Sequence, residues 1–146
     1  MQKLITSCGY RWDLCLAYKP NLERNPSTRQ LLSDGWFQYF GFRIPAEQIC
    51  CDGCLAEEPD LVDKSCPVRL CVIQRGVENC SLCTVYGEGC MLLAERLVVR
   101  EEVEERCGIE IPTEDYQLFI RPYENKRRLV ALRNRVTNHS LPRYQD

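Results

Sequence analysis

A chain of 146 residues makes one domain, or one domain with a modest appendage, and 45% hydrophobic residues allow a small core. A net charge of −2 gives no overall pull toward nucleic acid or anionic lipid. No apolar run approaches the roughly 20 residues that span a bilayer, and the opening MQKLITSCGY lacks the apolar stretch of a secretory signal, so a cytoplasmic location is expected.

Cys8-Gly9 follows a short lead, and Cys15 falls on a brief predicted helix over 13–18 that Lys19-Pro20 stops. These two cysteines suit either a pair of thiolate donors at a loop–helix junction or small buried apolar residues. A clearer helix follows. Asn25 is placed as its N-cap, Pro26 takes the first helical position, and Leu31, Leu32, Trp36, Phe37 and Phe40 form an apolar stripe closed by Gly41. Trp36, Phe37, Tyr39, Phe40 and Phe42 are read as an aromatic centre that packs the core, in preference to a ligand-binding aromatic box.

Residues 50–90 organise the chain, since they hold eight of its eleven cysteines. Cys51/Cys54 and Cys80/Cys83 are C-x-x-C pairs bracketing a third pair, Cys66/Cys71. A C-x-x-C turn presents two sulfurs on one side of a tight curl, at the separation a tetrahedral metal needs. Gly53 relieves the curl of the first pair. With no export signal and an odd cysteine count, reduced metal-bound thiolates are expected rather than a disulfide framework. An acidic loop with Glu57, Glu58 and Asp60 leads to Cys66, and Pro67 starts a helix running to about Gln74 that Gly76 ends. Cys66 and Cys90 stand at the heads of helices, where unpaired N–H groups favour thiolate.

Residues 91–106 read as one helix with Leu93, Leu97 and Val103 near one face; Glu101, Glu102, Glu104 and Glu105 form a solvated face rather than a carboxylate active site. Cys107-Gly108 closes it. Thr113 caps a further helix carrying Tyr116, Phe119, Ile120 and Tyr123, and Pro122 divides it from a last one carrying Leu129, Leu132 and Val136. From Tyr116 onward the charge is basic: Arg121, Lys126, Arg127, Arg128, Arg133, Arg135 and Arg143. Such a helix can meet phosphate backbone, dock on the chain's own glutamates, or be solvated. Glycine-rich phosphate loops, G-x-S-x-G and H-E-x-x-H are missing, and the only histidine, His139, is expected on the surface of the tail.

These pieces resemble a bacterial and archaeal cysteine-rich family, domain of unknown function 3795, described as predicted zinc-binding. The likeness rests on Cys8-Gly9 with Cys15, Ile49-Cys50-Cys51-Asp52-Gly53-Cys54, Cys66-Pro67-Val68-Arg69-Leu70-Cys71, and Gly76-Val77-Glu78-Asn79-Cys80-Ser81-Leu82-Cys83, and covers about residues 8–90. Trp12 stands where the family's opening motif, which looks like C-G-x-x-C-x-x-C, has its middle cysteine. The resemblance implies metal binding and brings no known activity. Nine cysteines match its pattern: Cys8, Cys15, Cys51, Cys54, Cys66, Cys71, Cys80, Cys83 and Cys90. Two closed tetrahedral sites use eight of these, one joining Cys8, Cys15, Cys51 and Cys54 and the other drawn from the remaining five. Cys50 and Cys107 fall outside the set. Zinc, two ions, is the expected metal, with an iron–sulfur cluster as the alternative because Cys₄ sets hold either.

The expected fold is mainly α, a small irregular metal-stapled domain with zinc knuckles (C-x-x-C) between helices. It is a single domain over 1–146, with a cysteine-rich metal-binding core at 8–90, C-terminal helices at 91–136 and a flexible tail at 137–146. The expected function is a zinc-binding structural or interaction module with a protein partner. The alternatives are an iron–sulfur redox protein and a nucleic-acid binder using the basic C-terminal helix. No residue set nominates a reaction.

Overall fold

The computed structural model describes residues 3–57, 59–85 and 90–137. Its described residues are mainly helical, and two isolated bridges, Ile5 with Arg11 and Tyr18 with Cys51, stand in place of a sheet. The helices in chain order are α1 (Lys19–Arg24), α2 (Thr28–Phe40), α3 (Pro67–Arg75), α4 (Met91–Ala94), α5 (Arg100–Cys107), α6 (Thr113–Asp115) and α7 (Asn125–Thr137). Short 3-10 turns at Trp12–Leu14, Ala46–Gln48, Cys80–Leu82 and Arg121–Tyr123 link them, and a π-turn over Tyr116–Ile120 continues α6.

Several boundaries differ from the sequence expectation, each for a local reason. The helix expected over 13–18 is the turn Trp12–Leu14, and Pro20 begins α1 instead of stopping a helix. Proline costs nothing in a first turn, where its missing N–H would have no partner anyway. Asn25 and Pro26 form a turn ahead of α2, whose N-cap is Ser27. The helix expected over 91–106 breaks between α4 and α5. There Val99 is extended, Val98 N–H donates to Asn125 Oδ1 at 2.8 Å, and Val98 O accepts from Lys126 N–H at 3.3 Å. Two consecutive β-branched residues suit that extended link. Pro112, not Thr113, holds the capping position of α6. The predicted α3 and its Gly76 stop are observed, with Gly76 at φ 65°. The tail, His139 and Glu58 lie outside the described residues.

Two hydrophobic clusters form. The larger gathers Cys15, Leu32, Trp36, Tyr39, Ile49, Cys51, Val103, Phe119, Ile120 and Tyr123 around α2. The smaller gathers Cys8, Val68, Val72, Cys80, Leu93 and Leu129 between α3, α4 and α7. Tyr10 packs against both. Trp36 and Tyr39 are buried as core aromatics, whereas Phe37 and Phe42 remain exposed.

Gly35 sits inside α2 for a packing reason. A Cβ there would lie 2.4 Å from the Phe119 ring, so the missing side chain is what lets the π-turn close on α2. Gly35→Ala, which in an open helix would stabilise by roughly 0.5–1 kcal/mol, should instead destabilise by about 1–3 kcal/mol. Urea unfolding midpoints, with exposed Gln30→Ala as the helix control, would decide it; a raised midpoint for Gly35→Ala would show that Phe119 yields freely.

Candidate metal centre

All eleven cysteines are free thiols. Cys71 on α3, Cys80 and Cys83 around the 3-10 turn, and Cys90 at the N-cap of α4 line one cavity of about 240 Å³. Its other walls include Val72, Val77 and Leu93, so its lining is dominated by sulfur and hydrocarbon, with Arg75 at Cys71. Burial holds the Cys80 thiol up at about 12, helped by the neighbouring thiols of Cys8, Cys90, Cys83 and Cys71. Cys8 and Cys54 are raised by burial too, to about 11 and about 12, with Cys66 adding to both. Cys8, Cys54 and Cys66 thus act on one another electrostatically, and Cys8 also acts on Cys80.

Cys15 and Cys51 lie apart from these, fully buried in the α2 cluster. Tyr123 Oη is 3.0 Å from Cys15 Sγ and 3.0 Å from Trp36 Nε1. An indole N–H can only donate, so the phenol oxygen accepts from Trp36 and its own hydrogen is free to go to Cys15. The backbone at Ala17 and Tyr18 also pulls the Cys15 thiol down, while Tyr18 N–H donates to Cys15 O at 3.1 Å. Cys51 is pulled down in the same way by the backbone at Val62 and Gly53 and by the Trp12 indole. Trp12 Nε1 is buried with no hydrogen-bond partner among the described residues, so its indole favours the Cys51 thiolate without a formed hydrogen bond. Donors aimed at sulfur bind a thiolate far better than a thiol. Nevertheless burial outweighs them in the neutral site, holding Cys15 up at about 11 and raising Cys51.

Of the expected quartet Cys8, Cys15, Cys51 and Cys54, Cys15 and Cys51 belong to the larger cluster and Cys8 to the smaller, while the thiols of Cys8, Cys66 and Cys51 all act on Cys54. Among the described residues no three cysteine, histidine or carboxylate side chains already converge as a metal shell. The donor chemistry at Cys71, Cys80, Cys83 and Cys90 fits a thiophilic ion: four soft ligands from three segments, largely apolar surroundings and no competing carboxylate lining the cavity. Of the two cysteines left out, the Cys107 thiol faces the carbonyls of Gln38 and Tyr39, and half-buried Cys50 lines neither cavity.

The residues that hold these loops carry no sulfur, and sequence reasoning missed them. Asn125 Nδ2 donates to Cys8 O at 2.7 Å and to Arg96 O at 2.9 Å. Arg128, 1% exposed, donates to Gly9 O at 2.7 Å and Arg121 O at 2.9 Å. Arg133 Nη1 reaches Ser81 O at 3.0 Å and Cys83 O at 2.6 Å. Lys126 and Arg127 pair with Glu102 and Glu101 of α5. The basic face of α7 is in this way largely turned onto the same molecule.

The family described as protein of unknown function (DUF3795) matches residues 4–95, well over half of the chain, and the chain belongs to that family. No curated protein and no solved structure matches it. No helix among the described residues is long and apolar enough to cross a membrane.

Arg133→Ala should cost about 1.5–3 kcal/mol of stability, the range for a hydrogen bond from a charged donor. Arg133→Lys should recover part of it. Thermal unfolding of the two variants checks this, and an Ala variant as stable as the parent would mean the Ser81 and Cys83 carbonyls find water instead.

Proposed function

We propose that this chain is a zinc-binding structural module, with Cys71, Cys80, Cys83 and Cys90 as the thiolates of one closed site and its surfaces free to meet a partner protein. The observation that carries this reading is the meeting of four cysteines from three separate segments in one largely apolar cavity. A second ion is drawn to Cys54 and the three cysteines whose thiols act on it, Cys8, Cys66 and Cys51. When bound, zinc supplies four bonds that fix α3, the Cys80–Leu82 turn and the head of α4 to one point, worth on the order of 10 kcal/mol of folding free energy per site. A closed all-thiolate site leaves no open position for substrate, which agrees with the lack of any catalytic residue set. The inward use of Arg128 and Arg133, and the pairing of Lys126 and Arg127 with glutamates, favour this reading over nucleic-acid binding.

Protein purified anaerobically without added metal should contain about two zinc ions per chain, no iron and no visible colour. Iron with acid-labile sulfide would replace this reading with the iron–sulfur one. Cys83→Ser should lose one zinc and much of the thermal stability, whereas Cys50→Ser and Cys107→Ser should keep the full metal content. Equal zinc in all three variants would remove the cavity between α3 and α4 from the metal assignment.

A further inference from the structure

A second cavity, larger than the sulfur-lined one, lies away from it. It encloses about 620 Å³ between α2, the 95–99 link and α5. One wall is aromatic, built by Trp36, Phe40, Phe42 and Tyr123; the facing wall is aliphatic, with Val98 and Val103. The Trp36 and Phe42 rings are tilted on one another by 36°, and the Phe40 and Phe42 rings by 33°. Trp36 and Phe42 stand 5.3 Å apart, Phe40 and Phe42 6.4 Å, and Phe40 meets Tyr123 at 6.0 Å and 87°. Phe42 keeps 45% of its surface exposed although it belongs to this stack. An aromatic and aliphatic lining in a concavity of this size is what small-molecule sites offer.

The charges around the mouth say which kind of molecule. Arg96 is neutralised by Asp63, and Glu102 by Lys126. Exposed Glu95 stands beside Arg96 at the end of α4. Arg106 projects from α5 over the Phe40 ring, 5.8 Å from its centroid, and is oriented by donating to Tyr39 O at 2.7 Å. Among the described residues no carboxylate pairs with Arg106. One guanidinium, fixed over the edge of an aromatic wall, is a carboxylate receptor with a ring platform beneath it.

We infer that this cavity binds a planar aromatic carboxylate, its ring lying against Trp36 and Phe42 and its carboxylate on Arg106. None of the nine cysteines lines the cavity, so the ligand site and the metal reading rest on different residues, with Trp12 and Tyr123 bordering both. Both tryptophans of the chain do line it, so their fluorescence reports occupancy directly.

The test uses the protein as purified, titrated with 2-naphthoate, the neutral 2-naphthalenemethanol and the cationic 2-naphthylmethylamine. Competition or calorimetry supplements the tryptophan signal. Naphthoate should bind saturably, about tenfold more tightly than the alcohol, and the amine most weakly. Arg106→Gln, an exposed substitution, should lower naphthoate affinity about tenfold to the level of the alcohol and leave the alcohol unchanged. Phe42→Ala should weaken both. No saturable naphthoate binding to the parent overturns the inference; so does an Arg106→Gln variant that binds naphthoate as before, or a preference for the amine.

Discussion

The structure depends on one helix supplying hydrogen-bond donors to loops that cannot satisfy themselves. With no sheet among the described residues, the carbonyls flanking the cysteines have few regular partners, and buried carbonyls left unpaired are costly. Side chains of α7 answer them in sequence: Asn125 at Cys8, Arg128 at Gly9, and Arg133 at Ser81 and Cys83. Asn125 does more, since its oxygen also takes Val98 N–H and its amide reaches Arg96 O. The break between α4 and α5 and the first cysteine loop are thus tied through a single residue. Leu129 seals the arrangement by packing so closely on Gly9, at φ 90°, that a Cβ there would sit 2.7 Å from Leu129 Cγ. Both the left-handed backbone and this contact require glycine at that position.

Within this frame the thiols are placed by opposing forces. Burial keeps their protons on, while N–H and O–H groups gathered around Cys15 and Cys51 favour taking them off. A cation bound as proposed would tip the balance toward thiolate, and the groups that favour the charged form are already in place. Trp12 is part of the same balance. Its ring covers Gly53, where a Cβ would meet it at 2.6 Å, and its buried indole pulls the Cys51 thiol down.

How much of this was legible depends on whether the signal was local. The helical class, α3 with its Gly76 stop, and the closing Gly41 followed from caps and periodicity, which are properties of a few consecutive residues. Pro20 misled because a proline reads alike as the end of one helix or the start of the next. The continuous helix expected over 91–106 failed because Asn125, far away in sequence, competes for the Val98 backbone. Arg128 is one of the basic residues whose helix the sequence leaves open between phosphate contact, docking on the chain's own glutamates and solvation. Its spacing from Asn125 and Leu129 puts it on the inward face of α7, but only the contact with Gly9 explains why a guanidinium belongs there. For the cysteines, spacing paired Cys51 with Cys54 and Cys80 with Cys83. The separation of Cys8 from Cys15, seven residues apart yet in different clusters, reflects the turn at Gly9 and has no counterpart in spacing.

The family match ends at residue 95, while the helix that completes the backbone of the cysteine loops begins at Asn125. The stretch recognisable by similarity and the stretch that is chemically self-sufficient are therefore of different lengths. In any relative with another C-terminal segment, donors must still arrive at the carbonyls equivalent to Cys8, Gly9, Ser81 and Cys83, or water must take their place. Exchanging the end of this chain becomes a problem of positioning a few N–H groups, with ordinary freedom in the side chains between them.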